Sequence, residues 1–278
     1  MTLVTFHCPT GSGSCTLPVV TGAKKTRVPS ARDTRNDESL AFAIGNFSNE
    51  MMSLYVSQAK PLQFADESIA TGLGPPTRLS LTFGLFFFDY DLDGRLDLLS
   101  ANGHLEEDIN KVQVSQHYEQ PPHLFWNCGS EHRIEFLPVP AEKVGDEFVQ
   151  PIVGRAAAYA DIDGDGDLDV VVTTNGGTPR LLRNELKLPR HWLRLKLLGG
   201  KSNRDAIGAQ IELKRGDEVL RQQVMPTRSY FSQCELPVTF GLGDSDKVDS
   251  ITIRWPSGVR QKLEPLELDK LHVIEEPR

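Results

Sequence analysis

Two stretches of the chain run apolar, then acidic, then apolar again. In the first, Phe86, Phe87 and Phe88 lead into Asp89, Asp91, Asp93, Gly94 and Asp97, and Leu98 and Leu99 follow. In the second, Tyr159 leads into Asp161, Asp163, Asp165, Gly166 and Asp169, followed by Val170, Val171 and Val172. Short apolar runs rich in aromatic and β-branched residues predict buried strands. Each stretch therefore reads as strand, acidic loop, strand. From His191 the pattern becomes a plain alternation: Leu193, Leu195 and Leu197, then Ile211 and Leu213, then Ile251, Ile253 and Trp255. Turn residues separate these runs, which predicts short antiparallel strands in a sandwich or barrel.

The first part of the chain reads as a degenerate repeat. Leu54-Tyr55-Val56-Ser57, Leu124-Phe125-Trp126-Asn127 and Leu181-Leu182-Arg183-Asn184 recur, each downstream of an Asn-containing turn. The first copy, preceded by DESLAFAIGNF, reads as having lost its acidic loop. All-strand repeats of this kind point to a β-propeller at about 40–45 residues a blade. Residues 103–122 form a polar insertion with room for a short helix. Residues 1–36 show neither strand nor helix periodicity and read as a disordered or unrelated tail. The expected organisation is all-β: a partial propeller of two to three blades over 37–186, a boundary near 186–190, and a β-sandwich or barrel-like domain over 190–278.

Four carboxylates in a loop this short repel one another. A hard divalent cation with many oxygen ligands relieves the repulsion, and glycine at the sixth position permits the turn. The expected donors are Asp89, Asp91, Asp93, the carbonyl of Arg95 and Asp97. In the second loop they are Asp161, Asp163, Asp165, the carbonyl of Asp167 and Asp169. Two Ca2+ sites are expected; solvated Asp/Gly turns are the alternative. An EF-hand does not fit, because its twelfth position needs Glu and here holds Ser100 and Val172.

A formal charge of −8 with no basic stripe argues against a nucleic-acid partner. No apolar run approaches the ~18 residues of a membrane span, and no basic, apolar leader opens the chain. Cys8, Cys15, Cys128 and Cys234 lack metal spacing and read as isolated thiols. No HExxH, GxSxG or P-loop occurs. His104, beside Glu106, Glu107 and Asp108, is either a general-base or metal cluster or a solvated loop. Arg228, Ser229 and Tyr230 are either an anion or sugar contact or a structural hairpin. Asn46-Phe47-Ser48 fits the glycosylation pattern.

The two strand–DxDxDGxxD–strand units resemble FG-GAP/VCBS propeller repeats. HWLRLKLLGGKSNRDAIGAQIEL, RSYFSQ, FGLG and IRWPSG resemble an ASPIC/UnbV domain. The combination is similar to the cartilage acidic protein family. The resemblance implies a calcium-stabilised propeller with a β-rich C-terminal domain, extracellular or at the cell surface. It implies no defining enzymatic activity and a protein or glycan ligand. A polysaccharide-acting hydrolase or lyase on the propeller scaffold is the alternative. A ring closes at about 4–8 blades, more than 37–186 supplies. The remaining blades are therefore expected in a missing N-terminal part or from another chain.

Overall fold

The computed structural model describes residues 33–59 and 63–278 in full, and 4–7, 14–17 and 28–32 by their backbone. Strands β1 (Val4–His7) and β2 (Ser14–Leu17) pair antiparallel. Three antiparallel meanders follow. The first sheet is β3 (Val28–Arg32), β4 (Ala41–Gly45), β5 (Ser53–Ser57) and β6 (Phe64–Asp66). After a helical turn, α1 (Gly74–Thr77), comes the second: β7 (Thr82–Phe88), β8 (Asp97–Asn102), β9 (His123–Asn127) and β10 (Phe136–Pro138). The insertion between β8 and β9 carries one helical turn, α2 (Ile109–Val112). Two more turns, α3 (Ala141–Val144) and α4 (Asp146–Val149), lead to the third sheet: β11 (Gly154–Ala160), β12 (Asp169–Thr174) and β13 (Arg180–Leu182).

The period of two along β7 explains how these sheets stack. Phe86 and Phe88 point to one side and join Tyr159, Val170 and Val172 of the third sheet in one core. Leu85 and Phe87 point to the other and join Ala41, Ala43, Leu54 and Val56 of the first sheet. Every residue of β7 is buried, as a strand packed on both faces requires.

The C-terminal part contains β14 (His191–Leu198), β15 (Gln210–Arg215), β16 (Glu218–Gln223), β17 (Val238–Gly243), β18 (Ser250–Arg254), β19 (Arg260–Leu263) and β20 (Lys270–Glu275). Two sheets, ordered β17-β14-β20 and β16-β15-β18-β19, share one core around Trp255, Phe240, Leu195 and Ile253.

The all-β expectation holds, and no barrel closes among the described residues. Two expectations need correction. β14 and β20 run parallel, where only antiparallel pairs were expected; alternation specifies a face, not a partner's direction. Within the expected tail 1–36, β3 pairs with β4 along the Val28–Gly45 to Arg32–Ala41 register, so the first sheet begins before residue 37. VPSAR has no alternation of its own, and its partner strand imposes the pairing. The rest of 1–27 lies outside the described residues except for the backbone of β1 and β2.

Candidate metal centre

Both acidic loops connect the first two strands of a sheet. In the first, Asp89 closes the turn: its Oδ1 accepts the N–H of Asp93 at 3.1 Å and its Oδ2 that of Gly94 at 2.8 Å. Asp93 Oδ1 accepts the Arg95 N–H at 2.7 Å. Asp97 ties the loop to its sheet, accepting the N–H of Tyr90 at 3.0 Å and of Asn127 at 2.7 Å. The second loop repeats this. Asp161 accepts from Gly164 and Gly166 at 2.7 and 3.2 Å, and Asp165 from Asp167 at 3.2 Å. Asp169 accepts from Ile162 at 3.0 Å and Asn184 at 2.9 Å. The recurring Asn127 and Asn184 thus anchor equivalent carboxylates.

Each loop gathers three carboxylates whose oxygens lie within 4.8 Å of one another: Asp89, Asp91 and Asp97, and Asp161, Asp163 and Asp169. Asp93 and Asp165 stand outside these trios. In the first loop Asp89, Asp91 and Asp97 are all buried, and Asp91 Oδ1 has no hydrogen-bond partner. Burial, then the neighbouring carboxylates, hold Asp89 and Asp97 well above the usual carboxylate range. Burial, reinforced by Asp91, pushes Asp93 up to about 6. Burial also pushes Asp167 up to about 7. An all-oxygen, acceptor-rich pocket with an orphaned buried oxygen suits a hard cation.

The structure adds a third loop that the sequence reading missed. Asp33 accepts the N–H groups of Asp37 and Glu38 at 3.3 and 3.1 Å, and Asp37 Oδ1 accepts that of Ser39 at 2.8 Å. The fourth and sixth positions are left-handed in all three loops: Asn36 and Glu38 (φ 56° and 71°), Leu92 and Gly94 (58° and 93°), Gly164 and Gly166 (82° and 98°). Here, however, Arg35 stands at the third position and Ala41 at the ninth. The Arg35 guanidinium instead bridges Glu67 at 2.7 Å and Glu135 at 2.6 Å. The spacing of Asp33 and Asp37 was the available signal.

All three loops face the C-terminal domain. Arg190 reaches Asp91 Oδ2 at 2.9 Å and its carbonyl at 2.6 Å. Arg194 of β14 pairs with Asp161 and Glu235. Arg221 of β16 donates to Glu38 at 3.0 Å. Trp192 and Gly241, opposite each other on β14 and β17, each cover one of the two acid-rich loops. A Cβ on Gly166 would lie 2.0 Å from the Trp192 ring, and one on Gly241 2.2 Å from Asp89 Oδ2.

The other candidates have structural roles. His104 Nδ1 accepts the Glu106 N–H at 3.0 Å, and its carbonyl accepts from Arg155 at 2.9 Å. Arg228 donates to the Tyr159 hydroxyl and the Met225 carbonyl, and Ser229 Oγ accepts the Leu85 N–H at 3.0 Å. Tyr230 meets Phe83 edge to face. This segment of the C-terminal domain is a clasp on β7 and β11. Asn46 is buried, its amide donating to Met51 and Ser53, so it is not presented as a glycosylation acceptor. Cys128 and Cys234 are buried and form no disulfide; Cys8 and the side chain of Cys15 lie outside the described residues. Among those residues no helix is long and apolar enough to cross a membrane.

The model of the family described as ASPIC and UnbV matches residues 199–278, the stretch that carries β15 to β20. A search of curated proteins finds no match.

Proposed function

We propose that the chain is a calcium-dependent, non-catalytic recognition or adhesion module that works outside the cytoplasm, built on FG-GAP/VCBS-like propeller blades over residues 37–186 and an ASPIC/UnbV-like domain over 190–278. The observation that carries this reading is the first acidic loop, whose buried Asp89, Asp91 and Asp97 converge around an orphaned oxygen. Asp89, Asp91, Asp93, Asp97 and the Arg95 carbonyl would hold one Ca2+. Asp161, Asp163, Asp165, Asp169 and the Asp167 carbonyl would hold the other. The ion would supply charge neutralisation, and with it a rigid seat for the C-terminal domain. Its ligand is a protein or a glycan. In the insertion that motivates the hydrolase or lyase alternative, His104 Nδ1 accepts the N–H of Glu106, its neighbour in that cluster.

Extracellular calcium modules have dissociation constants of roughly 10⁻⁴–10⁻³ M. Calcium at 100 times that constant stabilises the fold by about 2.7 kcal/mol per site, and a domain this size gains about 2–4 °C in Tm per kcal/mol. Melting is therefore expected to rise by at least about 5 °C between chelator and saturating calcium, with magnesium much less effective. A Tm indifferent to calcium sinks the proposal.

A further inference from the structure

Extending the calcium reading above, we propose that the three loops form a graded series in which arginine replaces the cation: the loop at 33–41 takes no ion, the loop at 161–169 takes one only in competition with Arg194, and the loop at 89–97 is the tight site.

The series follows from which positive group already touches each loop. At 33–41 two of the three trio positions are Arg35 and Ala41, and Arg221 sits against Glu38. Of the trio only Asp33 remains, with Arg221 3.9 Å away, so among the described residues no set of three carboxylates converges there. At 89–97 two arginines also touch the loop, Arg190 at Asp91 Oδ2 and Arg95 at Asp93 Oδ2, but Asp89 and Asp97 accept backbone N–H groups and Asp91 Oδ1 stays unpartnered. At 161–169 the equivalent of Asp89 is different. Asp161, its side chain fully buried, takes the Arg194 guanidinium, which is 6% exposed. A pair so shielded from water interacts strongly. Arg183 also lies 3.0 Å from Asp163, but it is half-exposed and screened.

Arg194 is shared with Glu235. The two acids divide one guanidinium, which sets opposite effects for substitutions on either side of it. Without the arginine charge, the loop at 161–169 needs its cation more. With Glu235 neutralised, Arg194 turns wholly to Asp161 and the cation is held less. Because Arg194 lies on β14, occupancy of this loop and the seating of the C-terminal domain become one linked equilibrium.

Calorimetric titration of the full chain with calcium tests the series. The expected result is one tight site and one at least about tenfold weaker. Asp91→Asn should abolish the tight site, and Asp163→Asn the weak one. In the Asp91→Asn background, Arg194→Gln should tighten the remaining site by about tenfold or more, Arg194→Lys should leave it weak, and Glu235→Gln should weaken it further. The Glu235→Gln arm decides the matter if Arg194→Gln does not fold. Two equal sites in the unaltered chain, or no response to Arg194→Gln and Glu235→Gln in folded protein, overturns the series while leaving calcium binding intact. Absence of any calcium binding overturns the underlying reading instead.

Discussion

Leu92 has φ 58°, in the left-handed region that disfavours a branched side chain, a strain of about 1–3 kcal/mol. It is retained because the side chain is buried and the carbonyl accepts the Gly243 N–H at 2.8 Å. The same contact brings Gly241 against Asp89, so the acid-rich loop touches bare backbone where any other residue would intrude. Gly241→Ala is therefore expected to cost about 1–3 kcal/mol by forcing β17 away from the loop. Urea denaturation should show it, and limited proteolysis should show faster cleavage in the linker around 186–190. Asp97→Ala should cost more, about 2–4 kcal/mol, because it leaves the buried N–H of Asn127 and the half-buried N–H of Tyr90 without an acceptor. Asp97→Asn, which keeps one acceptor oxygen, should recover part of that loss in the same denaturation series. At this scale the sequence was legible where the side chains keep their type. Asp89 to Asp97 and Asp161 to Asp169 announce themselves. The loop at 33–41 has the same backbone course but carries Arg35, Glu38 and Ala41 at the informative positions. A conformation that backbone hydrogen bonds can maintain survives the loss of its signature.

At the scale of elements, period-two alternation revealed β14, β15 and β18, and the recurrent Leu-rich tetrapeptides marked the third strand of each meander, β5, β9 and β13. Alternation could not reveal that β20 runs parallel beside β14, because its buried face is thin and its outer positions, Leu271 and Val273, are exposed apolar residues. What fixes the end of β20 is instead one carboxylate. Glu276 Oε2 accepts three consecutive N–H groups, of Gly200 and Lys201 at 2.8 Å and Ser202 at 2.7 Å. Its Oε1 accepts from the hydroxyls of Ser202 and Ser257. Desolvation pushes its pKa up, but these donors outweigh it and hold the carboxyl at about 2, below the usual 4.5. A carboxyl depressed in the folded state stabilises fully above its unfolded pKa, and the contribution disappears as pH falls from about 4.5 to about 2. Glu276→Gln is expected to lower Tm at pH 7, with the gap from the unaltered chain closing over that acid window. A constant gap from pH 7 to pH 2 would contradict this assignment.

For the molecule as a whole, the sequence exposed the parts but not their assembly. No motif or spacing marks Arg190, Arg194, Arg221 or Gly241 as contacts, and Gly166 reads only as the glycine of its loop, yet together they seat the C-terminal sheets on the three loops. The three meanders also stack in one direction. The second sheet is covered on both faces, while the third offers its outer face to solvent. Ala158, Val171 and Leu181 form a row across it through the register of β11, β12 and β13, with Val171 40% and Leu181 60% exposed. Ile162, in the loop after β11, is exposed as well. The third sheet also has three strands where the other two have four, so β13 keeps an open edge among the described residues. A sheet face of this composition is what the second sheet buries against its neighbours. The expected outcome is that this face packs face to face on a second copy. Sedimentation velocity should show association that increases with concentration. Val171→Thr combined with Leu181→Thr should reduce that association while shifting stability by no more than about 0.5 kcal/mol per site, as for exposed positions. A chain that stays monomeric at tens of micromolar, with the double variant indistinguishable from it, would leave this face with no such partner in its own copies.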